Sequence, residues 1–222
     1  MAETETTTRK RRSKGEQTRQ AILDGALGVI ARDGLRGVTH RSVAAEAGVQ
    51  LSLTTYYFKD IDTLIREAFE LFCERSRPTN EQIWAEIFAY LDGFTVAELR
   101  KTAVREEIAR HLSLRATDIL IGGVVENPAG LAVEQVFFTS VLQSPPLREL
   151  AASHRQSLLS PLVEICRRFN KRDPELDAQL LLDTMTRIEY EALALEVDDI
   201  DREHIRKLLR RQIGWALGLK SA

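Results

Sequence analysis

The 222-residue chain is long enough to bury a proper hydrophobic core, as one domain or as a small domain attached to a larger one. Its apolar content of 44% and charged content of 29% are ordinary for a globular protein, and a net charge of −2 excludes a polycation attracted to any nucleic acid. Residues 1–60 carry an excess of Lys and Arg, whereas residues 61–222 carry an excess of Asp and Glu. A basic head on an acidic body suits a chain that presents one end to DNA.

The cysteines and the apolar segments indicate the cellular compartment in which the protein is expected. Cys73 and Cys166 lie far apart in helical patterns without His or Cys neighbours at metal-ligand spacing, so we expect buried, reduced thiols in a cytosolic protein. The apolar runs are too short for a membrane helix, and the polar N-terminus has no hydrophobic signal region. We therefore expect a cytoplasmic protein with no membrane partner.

Residues 1–13 are rich in Glu and Thr, then basic, without apolar periodicity, which predicts a segment that is disordered on its own. Two interpretations are open for its cations, which include Arg11 and Arg12. They could form an arm that contacts phosphates or enters a minor groove beside the main site. Alternatively, the segment is a solvated tail.

The first helix is predicted over residues 16–32, where Ile22, Ala26, Val29 and Ile30 recur on one stripe. Gly34 ends it, because glycine readily adopts the backbone conformation found just after a helix. The stripe is spaced to pack across the segment that follows, so this helix serves mainly as a scaffold.

Residues 39–58 predict two short helices joined by a tight turn. Thr39 can cap the first helix with its side-chain oxygen, and Gly48 can supply the positive φ of the turn. Ala44 is small enough to let the second helix, at about residues 50–57, cross closely. A steep helix pair with such a turn is a helix-turn-helix, whose second helix lies in the DNA major groove. The alternative is an ordinary corner in a helical core.

The segments around this pair occur in a specific order. They are the helix at 16–32, the linker Asp-Gly-Leu-Arg-Gly-Val-Thr at 33–39, the two short helices, and Tyr-Tyr-Phe-Lys-Asp at 56–60 before a new amphipathic helix. This arrangement, over about residues 14–72, resembles the TetR family of bacterial transcriptional repressors. The resemblance implies a helix-turn-helix DNA-binding domain over residues 14–60 and a helical effector-binding and dimerisation domain over residues 61–222.

A helix in the major groove contacts base edges with its N-terminal residues and one outward face. In this chain those residues are Gln50, Leu51, Ser52 and Leu53, with Thr55 and Tyr56 one turn further on. Gln50 can pair with adenine, and Leu51 and Leu53 can pack on thymine methyl groups. Leu53 could instead pack inward.

The resemblance also implies roles for single positions. Leu51, Ser52 and Leu53 match base-reading positions of the family, and Thr39 and Arg41 match the start of the preceding helix, which contacts the DNA backbone. Three further residues match positions at and after the family's phosphate-binding Tyr, namely Thr55, Tyr56 and Tyr57.

One position departs from the family pattern. The phosphate-binding Lys of the family would fall at Ile61, and the available cation is Lys59. Either Lys59 takes this role from a shifted position, or the phosphate contacts fall more on Arg41, the tyrosines and the N-terminal arm.

The remaining chain shows helical patterns and no strand alternation, so we expect an all-α fold. We expect a helix at 61–74 closed by Arg77-Pro78, and two helices opened by capping boxes at Thr79 and Thr95, the second of which runs to about Arg115. Gly122-Gly123 predicts a broken or kinked helix. Further helices are expected at about 129–143, 147–169, 174–196 and 201–217.

A single helix-turn-helix reads only a few base pairs, so we expect a homodimer on a palindromic operator of double-stranded DNA. The predicted dimer contacts form stripes on two late helices that could build a four-helix bundle with their copies, a region the resemblance also favours. The residues are Leu150, Leu158, Leu162, Ile165, Leu181, Met185, Ile188 and Leu195. The alternative is that both helices belong to the core of their own subunit.

The resemblance implies a small effector in the helical body, which we expect to be apolar. Aromatic faces with two polar groups could line its pocket, although each aromatic could equally be core. The candidate residues are Phe72, Trp84, Phe88, Phe94, Arg105, His111, Phe137 and Phe138.

Catalysis has no support in the sequence, which contains none of the common metalloprotease, serine-hydrolase or nucleotide-binding motifs and predicts no cofactor. Glu107 and His111 share a helix face at the spacing of a metal pair, but an ion pair is the simpler interpretation. The alternative function is a helical dimeric scaffolding protein whose helix-turn-helix is an inert corner.

Overall fold

A computed structural model describes the backbone of residues 2–140 and 145–219, and the side chains of residues 14–139 and 147–219. The described residues are helical, without strands, which confirms the all-α prediction. The chain divides into two compact units, the first comprising residues 1–76 and 132–148 and the second residues 77–131 and 149–222. None of the described helices is both long and apolar enough to cross a membrane.

Among the described residues, the helices are joined by short loops and by three 3-10 turns. Their bounds are α1 Ala2–Asp33, α2 His40–Glu46, α3 Leu51–Tyr57, α4 Ile61–Asp92, α5 Thr102–Glu126, α6 Pro128–Ser140, α7 Pro145–Phe169, α8 Pro174–Ala192 and α9 Arg202–Ala216. The 3-10 turns are Leu35–Gly37, Glu98–Arg100 and Val197–Asp199.

The core of the first unit is built on the apolar stripe of α1. Its four predicted members, Ile22, Ala26, Val29 and Ile30, are fully buried. The helix ends at Gly34, which has φ 70° as expected of a residue after a helix. The expected arm at residues 1–13, with Arg11 and Arg12, lies outside the described side chains, and its role remains a prediction.

Ion pairs and aromatic rings complete the first unit. Arg19 pairs with Glu67, and Arg75 pairs with Asp24 at 2.5 Å, so α1 is tied to α4 at two points. The ring of Phe137 stacks on that of Phe69 with centroids 3.5 Å apart, and both rings are buried.

The predicted break at Arg77-Pro78 is wrong, because α4 continues through Pro78. Proline removes one helical hydrogen bond and crowds the preceding turn, a cost of about 3 kcal/mol. Phe69 before the proline and Leu91 after it are fully buried, and burial of such a side chain contributes about 1.5–3 kcal/mol, so the two together offset that cost. The division between the two units nevertheless falls in this helix, between residues 76 and 77.

The second unit is centred on α5, which packs against α8 and α9. The predicted break at Gly122-Gly123 is also wrong, since α5 runs without interruption to Glu126. Two helical glycines cost about 1 kcal/mol each relative to alanine. Leu120, Ile121 and Val124 are buried around them, which offsets this cost.

Helix starts were predicted with mixed success. The Thr95 capping box forms, with the Thr95 amide donating to Glu98 at 2.8 Å, but it opens a 3-10 turn, and α5 begins only at Thr102. Asp201 caps α9 as predicted, accepting from the His204 amide at 2.9 Å. Both cysteines are free thiols; burial raises the pKa of Cys166 to about 12, whereas Cys73 is only partly buried.

Candidate DNA interface

A reciprocal cap fixes the start of α2. The Thr39 hydroxyl accepts the Ser42 amide at 3.0 Å, and the Ser42 hydroxyl oxygen accepts the Thr39 amide at 2.9 Å. This is a capping box with Ser in place of the usual Glu or Gln. The Thr39 side chain, predicted to contact the DNA backbone, is exposed, and its hydroxyl group caps the first turn of α2.

The turn between α2 and α3 has the predicted geometry. Gly48 adopts φ 64°, and the amide of Val49 donates to the carbonyl of Ala44 at 3.0 Å. Ala44 is buried. The turn therefore needs a glycine at its bend and a small residue beneath it, which is what the pattern predicted.

Thr54 holds α3 against α2 and was not predicted. Its side chain is fully buried, and its hydroxyl donates to the Leu51 carbonyl at 2.8 Å, with the His40 carbonyl at 3.4 Å. The sequence gives no signal for this role, because a threonine in a polar run is equally suited to the outer face of a helix.

Two glycines of α1 were also missed. A Cβ on Gly25 would lie 2.9 Å from the Ala47 Cβ, and one on Gly28 would lie 3.0 Å from the Glu46 carboxylate. Both positions therefore allow α1 to approach α2 closely. Glycine inside a helix could have indicated this, since it otherwise destabilises the helix.

The outward face of α3 carries most of the predicted base-reading residues. The exposed ones are Gln50, Leu51, Ser52, Thr55 and Tyr56. Leu51 is 45% exposed and Tyr56 is 77% exposed. Leu53, for which both an outward and an inward orientation were predicted, is partly buried.

Tyr57 faces α1 more than solvent. Its ring meets that of Tyr56 edge-on with centroids 5.1 Å apart, and a Cβ on Gly15 would lie 3.2 Å from its hydroxyl oxygen. Tyr57 is partly buried, so it positions Tyr56 in addition to offering a hydroxyl at the edge of the surface.

Cations in residues 14–76 fall into two groups. Carboxylates pair with Arg19, Arg32, Arg66 and Arg75. In this part of the chain, four exposed cations make no ion pair, namely Lys14, Arg36, Arg41 and Lys59. Unpaired, solvated cations are the ones that remain available to phosphates. Arg36 lies in the 3-10 turn before α2 and was not predicted.

The start of α4 includes Ile61, the position where the resemblance implies a phosphate-binding Lys. The Asp60 carboxylate accepts the Thr63 amide at 2.7 Å, and this hydrogen bond lowers the pKa of Asp60. Ile61 follows as a partly buried residue. The residue before Ile61 is therefore the capping carboxylate Asp60, and the exposed cation next to it in the sequence is Lys59.

The residues expected to line an effector pocket lie in different units. Phe72, Phe137 and Phe138 belong to the first unit. The second unit holds Trp84, Phe88, Phe94, Arg105 and His111. Phe72 stacks on Phe69, which also stacks on Phe137, so these rings serve the core of the first unit.

Arg105 and His111 have defined contacts within the second unit. The Arg105 guanidinium donates to the carbonyls of Leu99 and Leu217 at 2.7 and 2.8 Å, and to that of Phe169 at 3.4 Å. The His111 ring stacks on Tyr90 with centroids 3.8 Å apart, and burial lowers the pKa of His111. Among the described residues, no group of three or more His, Cys, Asp or Glu could hold a metal ion.

The residues predicted to form the dimer interface are mostly used inside the subunit. Leu162, Ile165, Leu181 and Ile188 belong to the core of the second unit, as the alternative interpretation had it. Leu158 and Met185 pack partly against that core, and Leu150 is partly buried. Only Leu195 is exposed.

Comparison with known proteins agrees with this geometry. Residues 22–68 match the sequence profile of the bacterial regulatory proteins of the tetR family. No curated protein matches the chain. A transcriptional regulator from Rhodococcus sp. Rha1 has a TM-score of 0.64 at 18% identity, covering 90% of this chain and 96% of that one.

Two further solved structures are similar at higher identity. A member of the TetR family from Streptomyces coelicolor A3 has a TM-score of 0.58 at 26% identity, covering 88% of this chain and 97% of that one. The multidrug binding protein EbrR, complexed with ethidium, has a TM-score of 0.55 at 26% identity with the same coverage of both chains. With its capped α2, its glycine turn and the profile match at residues 22–68, the N-terminal part of the chain is a helix-turn-helix of the TetR type, and the chain has a fold similar to that of TetR-family regulators.

Proposed function

We propose that the protein binds a palindromic operator as a homodimer, represses transcription there, and is released by a small apolar effector. The observation that carries the DNA-binding part is the exposed face of α3, flanked by cations that no carboxylate neutralises. The proposal places the protein in the bacterial cytoplasm and assigns it no catalytic step, cofactor or membrane partner.

Charge pairing suggests which cations contact phosphates. Arg41 and Arg66 are both in the first unit, but Arg66 is held by Glu70 at 2.6 Å whereas Arg41 is unpaired. Each neutralised phosphate contributes about −0.9 to the slope of log K against log salt concentration. Removing Arg41 should therefore lower the magnitude of this slope by about one, and removing Arg66 should leave it unchanged.

The first experiment is selection of bound sequences from random double-stranded DNA at moderate salt. We expect a palindrome with half-sites about one helical turn, roughly 34–36 Å, apart. Arg41→Ala combined with Tyr56→Ala should abolish binding at unchanged helicity, with Arg66→Ala as the matched control. Recovery of no motif, with only weak salt-dependent retention, would refute the proposal and favour the scaffolding alternative.

Exposed apolar residues on α8 and α9 support a dimer interface in place of the buried stripes. Leu176 and Leu180 are one turn apart on α8, and Leu208 and Trp215 are two turns apart on α9. All four are at least 41% exposed, and the two helices pack against each other. In a two-fold dimer these faces would meet their own copies in a four-helix bundle.

The interface is tested with one charge. Leu180→Asp would bury a carboxylate of each subunit in the proposed interface and should convert the dimer to a monomer in sedimentation at micromolar concentration. Val96→Asp changes an equally apolar residue that is 71% exposed, and it should leave the dimer intact. Equal sedimentation of both variants as dimers would exclude this interface.

The effector site is proposed in the second unit, on Trp84, Phe88, Phe94 and His111. Trp84, Phe88 and Phe94 are partly buried against the core, so their rings are not fully used by packing. Arg105 is engaged by three carbonyls and is left out of the proposed site. Ethidium in EbrR supports a ligand with aromatic surface. Such a ligand releases DNA only if it binds the released conformation more tightly.

Ethidium is a practical probe, used without DNA. The chain has two tryptophans, so Trp215→Phe leaves Trp84 as the reporter. Ethidium should quench Trp84 emission saturably, and Phe88→Ala in the same background should weaken this binding. An unchanged Trp84 emission throughout the titration would refute the site.

A further inference from the structure

The exposed face of α3 is chemically unusual for a helix that reads bases. Residues 50–57 contain no Lys, Arg, Asp or Glu, and the exposed large hydrophobic side chains among them are those of Leu51 and Tyr56. The unpaired cations of this unit, such as Arg41 and Lys59, lie on α2 and after α3. Charge therefore surrounds the reading face but does not enter it.

The hydroxyl groups on α3 are partly committed to the helix itself. The Thr55 hydroxyl donates to the Ser52 carbonyl at 3.1 Å, and the Thr54 hydroxyl donates to the Leu51 carbonyl at 2.8 Å. A hydroxyl has one proton to donate. Thr55 can therefore offer the groove only lone pairs and its methyl group.

These features disfavour guanine and favour thymine. Guanine presents two acceptors in the major groove, which Arg or Lys usually bind, whereas thymine presents a methyl group that apolar side chains contact. We infer that α3 reads thymine methyl groups through Leu51 and Tyr56, so that the half-site beneath α3 is rich in A·T pairs. This inference rests on the proposed function and specifies the operator chemistry of the same site.

Deoxyuridine tests the inference directly, because it differs from thymidine only by the missing methyl group. In the operator recovered by selection, each thymine beneath α3 is replaced in turn by deoxyuridine. A methyl group buried against Leu51 should be worth about fourfold in Kd, from about 0.8 kcal/mol per buried carbon. We expect such weakening at one or more positions of each half-site.

A matched pair of variants connects the methyl group to the side chain. Leu51→Ala should bind thymine and deoxyuridine operators equally at the position that Leu51 contacts. Arg66 is paired with Glu70, so Arg66→Ala should keep the fourfold difference in Kd between the thymine and deoxyuridine operators. Retention of the difference in Leu51→Ala would overturn the assignment of Leu51 as the reading residue.

The remaining outcomes separate this inference from the proposed function. A palindrome that tolerates deoxyuridine at every position, or one with G·C pairs beneath α3, would overturn the inference and leave the operator-binding function intact. Absence of any selected motif would refute the proposed function itself.

Discussion

Gly25 is the position where the packing of α1 on α2 has the least room. A Cβ placed there would lie 2.9 Å from the Ala47 Cβ, 3.0 Å from the Ala47 amide nitrogen and 3.1 Å from the Val43 carbonyl oxygen. Two of these three atoms belong to the backbone and the third is fixed to it, so no side chain can rotate away. We predict that Gly25→Ala moves α2 and destabilises the first unit.

The magnitude follows from two opposing effects. Alanine inside a helix is about 0.5–1 kcal/mol more stable than glycine. Overpacking by one carbon against rigid neighbours costs about 1–3 kcal/mol. The net expectation is a loss of about 1 kcal/mol in the free energy of unfolding, with weaker operator binding because α2 and α3 are displaced together.

Gly122 provides the matched control, because it lies inside α5 and a Cβ there would have no neighbour within 4 Å. Gly122→Ala should therefore raise the free energy of unfolding by about 0.5–1 kcal/mol. Urea unfolding followed by circular dichroism, with operator binding as the second measurement, compares the two variants. If Gly25→Ala stabilised the chain as much as Gly122→Ala and bound operator normally, the close packing of α1 on α2 would be refuted.

Three further outcomes are expected. Arg105→Met removes three hydrogen bonds to carbonyls and should lower the free energy of unfolding by about 2–4 kcal/mol. Arg100 is exposed, so Arg100→Met should change the free energy of unfolding little. Equal effects of the two substitutions would contradict the stabilising role of Arg105. Burial lowers the pKa of His111, so the unfolded chain binds more protons below about pH 6.5 and stability should fall there. The His111→Phe variant, which can keep the stack on Tyr90, should lose less of its melting temperature as the pH falls. The same pH dependence of the melting temperature in both proteins would argue against this contribution of His111. Asp60→Ala removes the amide acceptor at the start of α4 and should lower the midpoint of urea unfolding, whereas Asp60→Asn should retain most of the cap.

The α2–α3 region could be predicted because its determinants are local. A cap at Thr39, a positive φ at Gly48 and a small residue at Ala44 act within ten residues of one another, and each leaves a distinct residue type in the sequence. Thr54 was missed for the opposite reason. Its burial depends on how α3 crosses α2, and its polar side chain gives no hint of that contact.

The two helix breaks were mispredicted because local rules compete with packing. Pro78 and the Gly122-Gly123 pair both lower helix propensity, and propensity alone favours a break at each. Side chains that are distant in sequence supply the compensating burial, such as the α8 and α9 residues packed on α5. That compensation is a property of the assembled unit and leaves no mark at the proline or the glycines.

The dimer stripe shows why a strong apolar pattern indicates the subunit's own core. Leu181, Met185 and Ile188 on α8 repeat at helical spacing, and the structure turns this face inward. Contacts within one chain carry no association entropy, whereas contacts with a second chain must overcome it. Folding therefore uses the most regular apolar face first, and the less regular face with Leu176 and Leu180 remains exposed. A two-fold dimer built on this residual face, as proposed above, would cover these leucines.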